Sequence, residues 1–130
     1  RDLFNGSANC ISCHTVGDKG GQVGPILDGL SDRLDAQGIL QAVSSPSASI
    51  IEGFGVKVIE LNDGTTVSGR ARNETANTVQ IQSADGKRWF TYFKDRVKSV
   101  SDSDTSLMPN IYAGLSSAQQ QQIVAFLNSL

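Results

Sequence analysis

The sequence predicts a mainly α-helical domain that carries a small antiparallel β insertion of about four strands. Apolar residues recur at helical spacing before residue 46 and again after residue 116. The segment between is rich in Val, Ile and Thr and contains two Asp-Gly turn signals. Because 130 residues is close to the commonest domain size, we expect one domain over residues 1–130, with the insertion at residues 54–100.

Residues 2–14 are predicted to form the first helix, and they end in the most informative stretch of the chain. Cys10-Ile11-Ser12-Cys13-His14 contains both cysteines and the only histidine of the sequence. On a helix, residues i, i+3 and i+4 share one face. A Cys-x-x-Cys-His run is typical of c-type haem attachment, in which two thiols add to the vinyl groups and the imidazole binds iron. Cys10, Cys13 and His14 are therefore predicted to hold one covalent haem c.

Three other interpretations of this stretch stay open. A thioredoxin-like redox pair is expected beside a βαβ pattern, which is missing around residue 10. A structural zinc site needs four ligands, whereas the sequence offers one cysteine pair and one histidine. A plain disulfide is the third. The signature rule and the missing fourth zinc ligand favour haem.

Residues 15–25 are expected to form a loop, because they include four glycines and a proline. Glycine has no side chain, so such a backbone can lie close against a flat ring. A ligating histidine usually donates its second ring N–H to a carbonyl or carboxylate. The carbonyl of Pro25 is our candidate acceptor for the Nδ1–H of His14, and a simple loop proline is the alternative.

Residues 26–50 are predicted to contain one helix, capped by Asp32 or Asp35 and ended by Ser-Ser-Pro at residues 44–46. Within it, Arg33 is a candidate to bind a haem propionate, since a carboxylate seeks a charged hydrogen-bond partner. A solvated surface arginine is the alternative interpretation.

The insertion is predicted to contain strands at residues 55–61, 65–72, 78–82 and 87–93. Trp89 is the candidate in it for covering a haem edge, with its indole N–H bonded to a propionate, because tryptophan combines a large apolar body with one polar group. The alternative is that the aromatic residues form the insertion's own core.

Met108 is the only methionine, and it follows a polar loop predicted at residues 101–106. A lone methionine is usually a core gap-filler. Here it precedes a proline outside any helical stripe, and the single histidine excludes bis-histidine ligation within the chain. The remaining candidates for the second iron ligand are methionine, lysine, asparagine, tyrosine, water or no ligand. Because cytochromes c use Met/His ligation, Met108 is predicted to be that ligand.

Residues 116–130 are predicted to form the last helix. Ser116 and Gln119 match a capping box. Apolar residues follow at helical spacing up to residue 130. Phe126 is expected to cross against Gly6, a large residue against a small one.

Three motifs together resemble those of class I cytochrome c. They are Cys-Ile-Ser-Cys-His at residues 10–14, Val-Gly-Pro-Ile-Leu at residues 23–27, and Leu-Met-Pro at residues 107–109 before the last helix. The resemblance covers residues 1–50 and 103–130.

This resemblance implies a mainly α cytochrome c fold in which the helices at residues 2–14 and 116–130 cross near the haem edge. It also implies His14 and Met108 as axial ligands of the iron, with the Pro25 carbonyl orienting the histidine. A compact cytochrome c has no β insertion, so the chain departs from the family pattern there.

With its insertion, the chain resembles a narrower group, the haem-binding cytochrome c domains of planctomycete and verrucomicrobial proteins. The matching residues are Pro46, Gly53-Phe54, Asp63-Gly64-Thr65, Gly69 and Ser-Leu-Met-Pro at residues 106–109. Those domains often end large dehydrogenase-like chains, which implies a dehydrogenase domain as one redox partner. The insertion is expected either to dock the domain against such a partner or to cover one haem edge.

The predicted function is electron transfer between a donor and an acceptor protein, without catalytic residues. The alternative is a haem enzyme or gas sensor with a displaceable sixth ligand, which would need distal acid–base groups that the one histidine cannot provide. A net charge of −2 argues against nucleic acid and anionic membranes as partners. No apolar run approaches 18 residues, so no membrane span is predicted.

The cellular location is predicted from the same motif. Haem attachment through Cys-x-x-Cys-His takes place outside the bacterial cytoplasmic membrane, so we expect a periplasmic or exported protein. The first residue is Arg1, and we expect a processed protein or an excised domain.

Overall fold

The computed structural model describes residues 1–130 as two compact units. The helical unit comprises Arg1–Ser49 and Met108–Leu130, and the sheet unit comprises Ile50–Leu107. None of the helices has the length and apolar character that crossing a membrane requires.

The helical unit begins with a short helix α1 (Asp2–Asn5) and not with the long helix predicted at residues 2–14. The N–H groups of Gly6 and Ala8 both donate to the Leu3 carbonyl, which turns the chain out of the helix. Asn9 has a left-handed φ of 52°, a conformation that asparagine tolerates. The chain then forms a 3-10 turn at Cys10–Ser12, so the long helix was wrong.

The predicted loop at residues 15–25 contains a small hairpin of β1 (Thr15–Val16) and β2 (Lys19–Gly20). Gly17 lies in its turn with a φ of 66°, and its N–H donates to both carboxylate oxygens of Asp28 at 2.9 and 3.0 Å. A side-chain carboxylate thus fixes a turn that the sequence marks only by its glycines.

Two helices replace the single one predicted at residues 26–50, namely α2 (Leu30–Arg33) and α3 (Ala36–Ser44). Leu34 separates them with an extended backbone. The Asp35 carboxylate caps α3 by accepting from the Gly38 N–H at 2.8 Å, and α3 ends at the predicted serine. The predicted cap at Asp35 and the predicted end at residue 44 are confirmed, whereas the prediction of one continuous helix was wrong.

The last helix, α4 (Ser117–Asn128), has the predicted capping box. The Ser116 hydroxyl accepts from the Gln119 N–H, and the Gln119 side chain accepts from the Ser116 N–H. Phe126 packs on Phe4 at a ring distance of 5.2 Å. The predicted packing of Phe126 against Gly6 is not seen at the position of a Cβ on Gly6, which has the Asp2 carbonyl and no atom of Phe126 within 4 Å. The buried core of this unit comprises Phe4, Leu27, Leu30, Ile39, Val43, Ile123 and Leu127.

The sheet unit is a five-stranded antiparallel sheet. Its strands are β3 (Val56–Glu60), β4 (Thr66–Arg72), β5 (Thr78–Gln82), β6 (Trp89–Phe93) and β7 (Ser99–Ser103). Their order is β6-β5-β4-β3-β7, so β6 and β7 are the two edges. The buried centre of this sheet consists of Ile59, Val79 and Ile81.

The predicted mainly α fold with about four inserted strands was wrong. The protein is a mixed α/β protein that is 29% helical, with a five-stranded and a two-stranded antiparallel sheet. The helices are shorter than expected, and a fifth strand occupies part of the polar loop predicted at residues 101–106. That strand, Ser99–Ser103, is held by its pairing with Val56–Glu60, which its own composition does not encode.

Candidate functional site

The two cysteines and the histidine lie together on one tight turn of the helical unit. The N–H groups of Cys13 and His14 both donate to the Cys10 carbonyl, at 3.1 and 3.0 Å. The Ser12 hydroxyl closes the turn by donating to the Asn9 carbonyl at 2.8 Å. The turn therefore places Cys10 and His14 one helical turn apart, although the long helix expected around them is not formed.

His14 is held in one tautomer. Its Nδ1 lies 2.7 Å from the Pro25 carbonyl oxygen, the acceptor expected from the sequence. Because a carbonyl only accepts, Nδ1 carries the proton and Nε2 keeps a lone pair. Burial lowers the pKa of His14, and the bond to Pro25 opposes that shift. The imidazole is thus favoured in its neutral form, which is the form that binds a metal.

The backbone at Gly24 lies directly against the His14 ring. A Cβ placed on Gly24 would lie 2.6 Å from Cε1, 2.8 Å from Nδ1 and 3.0 Å from Nε2 of the imidazole. Real Cβ atoms do not come so close, so only glycine fits between the loop and the ring. The Gly24 N–H also donates to the Cys13 carbonyl at 2.8 Å, which ties the loop to the cysteine turn.

Two further glycines allow the same loop to approach the cysteine turn closely. A Cβ on Gly20 would clash with the His14 carbonyl, and one on Gly21 would clash with the Ser12 carbonyl. The sequence predicted a close approach of this backbone to a flat bound ring, and that stays a prediction. The structure adds an approach to the imidazole of His14, which no local pattern in the sequence reveals.

The thiols of Cys10 and Cys13 are both free and half-buried. Burial raises the pKa of the Cys10 thiol, and the nearby Cys13 raises it further. The Cys10 Sγ donates to the Ala8 carbonyl at 3.8 Å. A thioredoxin-like pair depends on a lowered thiol pKa, so the environment of Cys10 does not fit that alternative.

Large apolar side chains of the helical unit remain exposed to solvent. They include Ile26, with 58% of its surface exposed, together with Leu34, Leu40 and Ile111. Ile26 directly follows Pro25, whose carbonyl lies against His14, so its exposed side chain is one that a flat apolar group bound at this turn could contact. Haem binding itself stays a prediction. No group of three or more His, Cys, Asp or Glu side chains converges as metal ligands would.

Met108 lies in the helical unit and packs against its core while remaining partly exposed. Cys10 and Ile11 of the cysteine turn pack against the same core. The predicted second ligand thus belongs to the same packed cluster as the turn that carries His14. Its role as an iron ligand stays a prediction.

Arg33 donates to backbone carbonyls of its own turn, at 2.8 Å to Ile26, 3.4 Å to Asp28 and 3.5 Å to Gly29. It is exposed, and it braces the segment that follows Pro25. Its binding of a propionate stays a prediction.

Trp89 lies on β6 in the sheet unit. The guanidinium of Arg72 sits 3.9 Å and that of Arg70 5.5 Å from a Trp89 ring centroid, and Arg70 also lies 3.8 Å from the centre of the Phe54 ring. These cation–π contacts cover part of the indole. The predicted bond from Trp89 to a propionate stays untested by this geometry.

No protein-family model matches the chain, and no curated protein matches it.

Proposed function

We propose that the chain carries one c-type haem, attached through Cys10 and Cys13, and that it transfers single electrons. The observation that carries the proposal is the preorganised His14. The Pro25 carbonyl fixes the proton of His14 on Nδ1, and the backbone of Gly24 lies against the imidazole ring. Two free thiols lie on the same turn as His14. A side chain set in this way keeps a lone pair on Nε2, which is the atom that can bind a metal.

The attachment chemistry needs only the two thiols and the two vinyl groups of the porphyrin. In each addition the S–H bond and the π bond of the vinyl group would break, a C–S bond would form, and the thiol hydrogen would end on the neighbouring carbon. No external oxidant or reductant is consumed.

When bound, the haem supplies an iron that cycles between the ferric and ferrous states. His14 would hold the iron through Nε2, and Met108 is proposed as the second ligand. If protein side chains supply both ligands, substrate would have no free position at the metal, so an electron carrier is favoured over an enzyme. A Met/His ligand pair would raise the reduction potential.

The relationship to class I cytochrome c is likewise a proposal. It rests on the three motifs at residues 10–14, 23–27 and 107–109, and on the His14–Pro25 hydrogen bond. We propose the narrower planctomycete and verrucomicrobial group on the sequence motifs alone. It makes a redox protein, with a dehydrogenase domain as one candidate, the proposed partner, and haem attachment makes a periplasmic or exported location the proposed site of action.

The test is an absorption spectrum of the protein produced together with a c-type maturation system. We expect a low-spin ferric spectrum with the weak far-red band of Met–iron ligation. Met108→Ala should remove that band and let the ferrous protein bind carbon monoxide. The control is Leu107→Ala, which shortens the exposed neighbour and should preserve the band.

A high-spin wild-type spectrum, with immediate binding of carbon monoxide, would contradict electron transfer with two protein ligands. That result would support the gas-sensing or enzymatic alternative.

A further inference from the structure

The edge strand β6 of the sheet unit is unprotected. Its five residues, Trp-Phe-Thr-Tyr-Phe, include four aromatic side chains and neither a charge nor a proline. The opposite edge, β7, is Ser-Val-Ser-Asp-Ser. Natural proteins usually shield edge strands with charges, prolines or bulges, because an open edge pairs with another strand.

The hydrogen bonds to β5 show which groups of β6 face outward. The Ser83 N–H donates to the Arg88 carbonyl, and the Lys94 N–H donates to the Asn77 carbonyl, both at 2.8 Å. In an antiparallel ladder such pairs alternate, so the even-numbered residues of β6 bond to β5. The backbone groups of Trp89, Thr91 and Phe93 therefore face the open side.

The side chains of β6 also remain accessible. Phe90 is 48% exposed and Phe93 is 46% exposed, and they lie on opposite faces of the sheet. Thr91, at the centre of the strand, is exposed as well. Both faces of the strand thus offer apolar surface beside an open row of backbone donors and acceptors.

The strand is self-complementary about its central residue. If two copies pair antiparallel around Thr91, each Trp89 lies opposite a Phe93 and each Phe90 opposite a Tyr92, while Thr91 meets its equivalent. Aromatic pairs and threonine pairs are the cross-strand combinations that stabilise antiparallel sheets. A two-fold interface requires this property, that the same patch complements itself.

We propose that β6 pairs with the β6 strand of a second copy of this chain, which joins two five-stranded sheets into one. The paired strands would exchange backbone hydrogen bonds through Trp89, Thr91 and Phe93. This inference rests on the sheet unit alone and does not depend on haem binding.

The flanking charges permit this register. It places Arg88 opposite Lys94 of the second copy, which is the one like-charged pair next to the strand. Lys94 pairs with Glu74 of its own chain at 2.8 Å, a carboxylate that it shares with Lys57, and this reduces the repulsion from Arg88. One step further out, Lys87 lies opposite Asp95, an attractive pair.

The interface is small, so the association should be weak and should depend on concentration. Sedimentation equilibrium of the complete haem-loaded chain should show the mass rising from one chain towards two between about 10 µM and about 1 mM, the range typical of small interfaces. Thr91→Lys should abolish this rise, because the two-fold axis places the two new ammonium groups opposite each other.

Thr66→Lys is the matched control, since Thr66 is an exposed threonine on the interior strand β4. It should dimerise as the wild type does. Thr91→Pro is a second variant. It removes an outward N–H, which an edge strand tolerates, and the exposed hydroxyl that accepts from the Gln80 amide. Circular dichroism should show an intact sheet while the dimer is lost.

A wild-type mass that stays at one chain over this range would overturn the proposal. Equal dimerisation of Thr91→Lys and wild type, or equal loss of dimer in Thr66→Lys, would also overturn it. A dimer that forms when haem attachment fails would leave this inference standing while the proposed function falls.

Discussion

Different interactions stabilise the interior of each of the two units. In the sheet unit, the strands form a continuous hydrogen-bonded ladder around three side chains, Ile59, Val79 and Ile81, that are at most 1% exposed. In the helical unit, the stretch around the cysteines has little regular structure. The loop at residues 15–25 lies close to the imidazole of His14, because glycine leaves room for that approach. Single backbone hydrogen bonds join this loop to the cysteine turn.

The comparison teaches that the sheet unit is built for its own stability, whereas the first part of the helical unit is built around His14. Mutations in the sheet should therefore change the free energy of unfolding and leave the absorption spectrum of the proposed haem unchanged. Mutations beside His14 should change that spectrum even where their cost in stability is moderate.

Ile59→Ala should destabilise the sheet unit by about 2–5 kcal/mol, because it leaves a cavity at a fully buried position. Chemical denaturation followed by circular dichroism measures the loss. Ile51→Ala removes the same atoms from a side chain that is 52% exposed, and its effect should be much smaller. An equal loss in both variants would show that Ile59 is not the centre of a packed core.

Gly24→Ala should displace the His14 ring, since the added methyl group would lie 2.6 Å from Cε1. We expect a cost of about 1–3 kcal/mol, typical of overpacking, and a changed absorption spectrum of the haem-loaded protein. Gly114→Ala, in the same unit, meets nothing within 4 Å and should preserve the spectrum. An unchanged absorption spectrum in Gly24→Ala would contradict a role of the loop in positioning His14.

Ser116→Ala should destabilise α4 by about 1 kcal/mol, because it removes the oxygen that accepts from the Gln119 N–H. Thermal unfolding of the helical unit measures this change. Ser117→Ala alters the neighbouring serine, whose side chain makes no capping bond, and should leave the melting temperature nearly unchanged. If both serines behave alike, the capping box contributes nothing measurable.

Glu74→Gln should flatten the acid side of the pH–stability curve. Hydrogen bonds from Lys94 and Lys57 lower the pKa of Glu74 in the folded protein. Its contribution is therefore complete above the unfolded pKa of about 4.3 and is lost as the pH falls through the lower folded pKa. We expect less than about 1 kcal/mol, because the carboxylate is 36% exposed.

The control for that curve is Glu52→Gln, which removes an exposed carboxylate without an ion pair. It should reproduce the wild-type acid limb. A Glu74→Gln curve with the same acid limb as the wild type would mean that the lysine pairs do not stabilise the fold.

The sequence predicted the features that depend on neighbours in the chain. The Asp35 cap, the capping box at Ser116 and the acceptor role of Pro25 toward His14 all follow from short motifs, and all are present. The strands marked by Val, Ile and aromatic residues were located to within about two residues, the usual limit for element boundaries.

The features that depend on distant neighbours were missed. The fold class was wrong because Ser99–Ser103 looks like a polar loop and becomes a strand only beside Val56–Glu60. The first helix was wrong because the chain leaves the helix at Gly6 and the left-handed Asn9 keeps it from continuing into the cysteine turn. The fit of Gly24 against the imidazole was missed because it joins residues that lie ten positions apart in different local structures.

The central claim is that Cys10 and Cys13 carry one covalent haem, and the intact mass of the denatured protein tests it most directly. The chain should be produced with a c-type maturation system in cells that also load a reference cytochrome. We predict a mass larger than that of the polypeptide by one haem, and the bare polypeptide mass for the Cys10→Ala, Cys13→Ala double variant. A wild-type chain of unmodified mass with two alkylatable thiols, beside a fully loaded reference, would contradict the account.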